Sequence, residues 1–167
     1  GIGGLYWKTT NPLSACGDGV AMALEAGAQC AQLEMVQFHP TALDIDADPL
    51  PLVTEALRGA GACLINDSNE RFMHGFAPQG DLAPRDVVAR AMWRQIRAGH
   101  KVRLRVPTDV LSNLAIAFPA LHALCRRHDI DAAMGIPITP AAHYHMGGVA
   151  VDLLGRTSLS HLWAVGE

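Results

Sequence analysis

Four short stretches place proton-exchanging or anion-binding side chains among apolar neighbours. They are Gln37-Phe38-His39-Pro40, Thr54-Glu55-Ala56-Leu57-Arg58-Gly59, Ala83-Pro84-Arg85-Asp86 and His143-Tyr144-His145-Met146-Gly147-Gly148. Gathered by the fold, His39, His143, Arg58, Arg85 and the Thr54-Glu55 pair would make a cationic, donor-rich pocket. Such a pocket suits a small dianion, because a guanidinium offers a fork of donors to a carboxylate. The double glycine after His145-Met146 lets backbone approach a planar ligand closely. Taken singly, each stretch also has a plain structural explanation. A His before Pro can end a strand, Arg85-Asp86 can be a charge pair at a helix start, and Thr54-Glu55 can cap a helix. Arg58 can be a surface residue and Gly147-Gly148 a turn.

Histidine is abundant, with eight in the chain. His143 and His145 share one side of a strand, but no nearby Cys or carboxylate completes a ligand set, so no metal site is expected. His74, His100, His122, His128 and His161 lie among loop or helix-surface signals, and Tyr144 and Met146 suit packing.

The elements that must position these groups follow from periodicity. Val20, Ala21, Leu24, Ala28 and Ala31 recur at helical spacing, which predicts a helix from Asp18 to Gln32. Leu33 to Phe38 predicts a short strand delivering His39, stopped by Pro40. Asp and Pro make Ala42 to Pro51 an expected exposed loop and a crossing point between lobes. Cys63 to Asn66 predicts a strand entering an Asn-Asp turn, with Arg71 to Met73 as its return. Asp86 to Ile96 is amphipathic, with Pro84 suited to its first turn and Gly99 to its end. Val110 to His128 predicts a helix broken at Pro119, and Ile136 to Pro140 an extended connector.

Composition bounds what such a fold can serve. Half of the 167 residues are hydrophobic and 17% are charged, enough apolar material for one core or two small lobes. A net charge of −3 argues against a nucleic-acid partner. Arg, His, Asp or Gly interrupts every apolar run before it reaches the roughly 18 to 20 residues a membrane helix needs. Cys16, Cys30, Cys63 and Cys125 form no C-x-x-C pair and predict reduced thiols, hence a cytoplasmic, soluble protein with small-molecule partners. The opening Gly1-Ile2-Gly3-Gly4 and the closing Trp163-Ala164-Val165-Gly166-Glu167 read as cuts through a longer protein.

In this order the motifs resemble the succinate dehydrogenase and fumarate reductase flavoprotein family. The resemblance spans nearly the whole chain. It is carried by Thr9-Thr10-Asn11-Pro12, Gly17-Asp18-Gly19, Gln37 to Leu43, Thr54 to Gly59, Leu82 to Arg90 and Pro140-Ala141-Ala142-His143-Tyr144. Ala83-Pro84-Arg85-Asp86 and Pro140 to Tyr144 look like the family's aspartate-oxidising branch. The resemblance implies an α+β chain: part of a Rossmann-like FAD-binding domain at 1–36 and 142–167, interrupted by an α+β capping and substrate domain at 37–141.

It further implies FAD contacts at Asp18 and Glu167, substrate-carboxylate ligands at His39, Thr54 and His143, and proton transfer by Arg85 with Glu55 and Arg58 as its relay. The implied reaction takes L-aspartate to iminoaspartate, with oxygen or fumarate reoxidising the flavin, in the quinolinate branch of NAD biosynthesis. A quinolinate synthase is the implied pathway partner. Cys16 replaces the family's usual Thr before Gly-Asp-Gly, and Ala60 replaces the Glu of its Arg-Gly-Glu-Gly segment. The phosphate-binding G-x-G-x-x-G turn and a further substrate arginine are missing, so the piece alone is expected to be inactive. A fumarate reductase or succinate dehydrogenase subunit is the alternative parent, and a noncatalytic ligand-binding remnant the second alternative.

Overall fold

The computed structural model describes residues 1–166, and Glu167, with its expected FAD contact, lies outside the described residues. Its centre is a four-stranded antiparallel sheet. The spatial order is β2 (Val36–Leu43), β5 (Ile136–His145), β4 (Val102–Arg105) and β3 (Cys63–Asn66). A separate antiparallel ribbon joins β1 (Cys30–Ala31) to β6 (Gly148–Val149). The helices are α1 (Asp18–Glu25), α2 (Ala56–Gly59), α3 (Arg85–Arg97), α4 (Thr108–Ser112), α5 (Leu114–Ala117) and α6 (Pro119–Arg127). Helices and antiparallel sheets thus mix in one chain, as an α+β fold requires.

Two periodicities build the core. In β4 Val102 and Leu104 point inward while Arg103 and Arg105 point out, the alternation of a half-buried strand. In α3 Val88, Ala91 and Met92, three and four positions apart, form the buried stripe that lies on β2 and β5. Leu57, Leu64, Met73, Leu104, Ile136 and Ile138 fill the space between sheet and helices. Truncating one such side chain would cost about 2 to 5 kcal/mol.

Several expectations need correction. The first helix stops at Glu25 rather than Gln32, because Gly27 turns the chain at φ +92° and Cys30–Ala31 then pairs with β6. The next strand begins at Val36 and runs through Pro40 to Leu43. Its register passes from His39↔Ala141 to Ala42↔Thr139, so Pro40 and Thr41 oppose Pro140 alone in a bulge where the missing N–H groups are not needed. The loop expected at Ala42 to Pro51 begins only at Asp44, since Ala42 and Leu43 are buried strand; Leu50 is buried as well. Arg71 to Met73 makes no return strand. Asn66 Oδ1 accepts the Ser68 and Glu70 N–H groups, Phe72–Gly75 coils into a 3-10 turn, and β4 pairs with β3 instead.

Val110 to His128 splits into three helices. Asn113 and Phe118 lie between them, and Pro119 opens α6, where a missing N–H costs nothing. Ile136 to Pro140 is the first half of the ten-residue β5 rather than a connector. Both edges of the large sheet are occupied. Along β2, Leu43 N–H donates to Pro51 O and Val53 N–H to Thr41 O. Along β3, Leu64 N–H donates to Asp81 Oδ1 and Asn66 N–H to Glu70 O.

Candidate functional site

The fold collects groups from four separate segments. Gln37 and His39 are two apart in β2, so both face α3 from the same side of the strand. Arg85 is the first residue of α3, set in position by Pro84 at its cap. The single-turn helix α2 brings Arg58 three residues after Glu55, one turn along the same face. His143 sits in a second bulge: Gln37 pairs with Tyr144 and Phe38 with Ala142, leaving His143 unmatched and re-aimed.

The Glu55 carboxylate joins the two guanidiniums. Its Oε2 accepts from Arg85 Nη2 at 2.9 Å and Nε at 3.2 Å, and its Oε1 accepts from Arg58. Arg85 Nη1 donates to Gln37 Oε1 at 2.8 Å. Three donors of the Arg85 fork are thus committed, and the rest of the fork can serve an anion. Arg58 is buried; its Nη1 donates to the Asp81 carbonyl at 2.7 Å while its Nε finds no partner among the described residues.

His39 lies beside this cluster, only 3% exposed, with its ring centroid 5.1 Å from that of His143. Burial, then the positive charge of Arg85, pushes its pKa down to about 4, so the ring is neutral near pH 7. Nδ1 accepts the Thr41 N–H at 3.2 Å, which leaves the proton on Nε2 as a donor. His143 Nδ1 meets Thr10 Oγ1 at 2.8 Å, and its ring lies 4.2 Å from that of Tyr144. The bond to Arg85, more than anything else, holds the Glu55 carboxyl below its usual range. Burial lowers the Arg58 pKa, with Glu55 and Asp81 opposing.

Two clefts flank the cluster. One of about 980 Å³ is walled by Tyr6, Trp7, Phe38, Arg85, Trp93 and Met146 among others. The other, about 480 Å³, lies between Thr10, Asn11, His143, Tyr144 and residues 49–52. The Arg85 fork opens on the larger cleft and Thr10 and His143 on the smaller, with the buried, neutral His39 next to His143; together these groups can bind a small carboxylate and hand a proton along a fixed chain.

Of the residues expected to form a site, the fold unites His39, Glu55, Arg58, Arg85 and His143, with Thr54 next to Glu55. The Thr54 hydroxyl accepts the Ala56 N–H at 3.3 Å in the turn that enters α2, whose N-cap is Glu55. Arg85 is no helix-start partner of Asp86, which pairs instead with Arg90. Asp18 stands apart from this cluster, exposed in the first turn of α1. The sequence reading missed Gln37 as a group of the site, although its spacing from His39 already put both on one face. It also missed Thr10, which orients His143, and Asn11, whose Nδ2 donates to the His143 carbonyl at 2.8 Å. Asp81 carried no sequence signal beyond a lone acid between Gly80 and Leu82. No group of three or more potential metal ligands occurs among the described residues.

The chain belongs to the FAD binding domain family, whose model matches residues 1–167. Within that class it is similar to L-aspartate oxidases: 56% identical to that of Mesorhizobium japonicum and 40% identical to that of Bacillus subtilis, in each case over all of this chain. It spans 33% and 31% of those proteins, about a third of their length. Among solved structures, an E. coli quinol fumarate reductase superposes with a TM-score of 0.85 at 31% identity, covering 100% of this chain and 32% of that one.

FAD is the cofactor of the family, and the residues here fit it. An isoalloxazine needs an apolar slot with polar groups at its rim, and the larger cleft joins Tyr6, Phe38 and Met146 to Arg85 and Gln37. Asp18 supplies a carboxylate of the kind that accepts sugar hydroxyls; it is exposed and forms no ion pair among the described residues.

Proposed function

We propose that the full-length protein oxidises L-aspartate to iminoaspartate, with oxygen or fumarate as the final electron acceptor, and that this chain supplies the substrate-side machinery. The observation that carries the reading is the Arg85–Glu55–Arg58 chain ending beside a neutral His39. Residues 1–36 and 142–167 belong to the FAD-binding domain in this reading, of Rossmann-like kind, and 37–141 to a cap. In support, β2 and β5 run side by side across both junctions, a ribbon by which one unit can continue into the other.

Asp18 and Glu167 would hold FAD, which when bound supplies the two-electron acceptor for the substrate carbon. His39 donates from Nε2 to a substrate carboxylate, and the Thr54 hydroxyl and His143 bind alongside it. A neutral imidazole suits this role because it binds an anion without needing a buried charge of its own. Arg85 exchanges a proton with the substrate and passes it to Glu55 Oε2, 2.9 Å away. Arg58, on the other carboxylate oxygen, and Glu55 together hold the guanidinium against the cleft. Arginine is almost always protonated, so this role rests on the neighbouring charges and on exclusion of water. The product would enter the quinolinate branch of NAD biosynthesis in the cytoplasm, with quinolinate synthase next in line. The described residues contain no helix long and apolar enough to cross a membrane.

A second reading makes the parent a fumarate reductase or succinate dehydrogenase flavoprotein subunit, favoured by the TM-score of 0.85 to a fumarate reductase. Anaerobic titration of the full-length, flavin-loaded protein separates the two. Bleaching by L-aspartate and not succinate, slowed at least ~100-fold in Arg85→Ala, is the expected result. Bleaching by succinate alone favours the second reading, and a protein without flavin refutes both.

A further inference from the structure

Among the described residues, Arg58 carries the buried side-chain polar atom without a hydrogen-bond partner. It is 4% exposed, its Nε is unpaired among the described residues, and the one carboxylate it touches is shared with Arg85. A single negative charge between two guanidiniums does not balance them. The other acid acting on Arg58 is Asp81, in the 3-10 turn Gly80–Leu82, itself 8% exposed. Three bonds fix that residue. Its carbonyl accepts Arg58 Nη1 at 2.7 Å, its Oδ1 accepts the Leu64 N–H at 2.8 Å, and its Oδ2 accepts Arg71 Nη2 at 2.9 Å. Charges therefore alternate from cleft to surface: Arg85, Glu55, Arg58, Asp81 and finally the half-exposed Arg71.

We propose that Asp81 is a positioning residue for Arg58: its carbonyl fixes the guanidinium, and its buried carboxylate, held by Leu64 and Arg71, sets a second negative charge beside the relay. The assignment rests on the reading of Arg58 as part of the proton relay. The groups acting on Arg58 are Glu55 ahead of α2, Arg85 on α3, His39 on β2 and Asp81, and the two acids oppose the lowering by burial and by Arg85. Arg71 bonds the Asp81 carboxylate from its half-exposed side. Because the β3 edge also hangs on Asp81, its carboxylate is locked in place rather than free to follow Arg58.

The test uses the full-length, flavin-loaded protein and Asp81→Asn, which keeps an acceptor for Leu64 and the carbonyl for Arg58 but removes the charge. With the dicarboxylate that reduces the flavin, kcat should fall on the order of 10-fold while KM stays within about 3-fold. A kcat within about 2-fold of the wild type overturns the proposal. A thermal double-variant cycle of Asp81→Asn with Arg58→Met gives a readout independent of turnover. Asp81→Asn should lower the melting temperature by no more than about half as much once Arg58 is Met; additive losses overturn the proposal. If no dicarboxylate reduces the flavin, the functional reading falls, and the cycle alone decides the role of Asp81.

Discussion

Replacing His39 by Asn should remove a pH dependence that the wild-type fold cannot avoid. The Asn carboxamide oxygen can stand in for Nδ1 and accept the Thr41 N–H, but it does not titrate. In the unfolded chain His39 takes a proton below about pH 6.5, whereas the folded protein holds it neutral down to about pH 4. Between those values the unfolded state binds more protons, so stability rises with pH and is lost as pH falls. The gap corresponds to about 3 kcal/mol, at about 1.4 kcal/mol per pH step, for a side chain that is 3% exposed. Urea denaturation of the full-length, flavin-loaded protein from pH 7.5 down to 4.5 measures it. Wild type should lose about 2 to 3 kcal/mol more than His39→Asn across that range. A difference constant within about 0.5 kcal/mol would refute the buried, Nδ1-accepting imidazole described above.

Other perturbations probe the geometry. Gln37→Leu removes the acceptor of Arg85 Nη1 while keeping side-chain volume. Steady-state kinetics should show kcat down by about 10-fold and KM within about 3-fold, and unchanged kcat would mean that Glu55 alone orders Arg85. Gly147→Ala should be far more damaging than its size suggests, because the added Cβ would lie 1.8 Å from the Gln32 carbonyl oxygen. The expected loss is more than about 3 kcal/mol, read by thermal denaturation, and a wild-type melt would refute the close approach of the two segments.

What the sequence disclosed and what it hid divide along range. Helix α3 was legible because its buried stripe, its Pro84 and its Gly99 all lie within one segment. The candidate cluster was legible by residue type: His39, Glu55, Arg58, Arg85 and His143 do meet. Illegible were features set by distant partners. Pro40 and Pro140 look like strand breakers one at a time, and only their meeting in a single bulge makes them tolerable. Strand β4 shows its alternation in just four residues, too few to stand out until β3 and β5 are known to flank it. Asp81 bonds to residues 10, 17 and 23 positions away, so no local pattern marks it.

The occupied sheet edges have a bearing on association. A bare edge strand is a template on which another chain can add a strand, the commonest route to runaway self-assembly. Here the outer N–H groups of Leu64 and Asn66 are spent on Asp81 and Glu70, and the segment from Pro51 to Val53 lies along β2. The Asp81 carboxylate therefore doubles as a guard against strand recruitment. Asp81→Ala should expose the β3 edge at Leu64, and the first sign of that loss would be turbidity on storage.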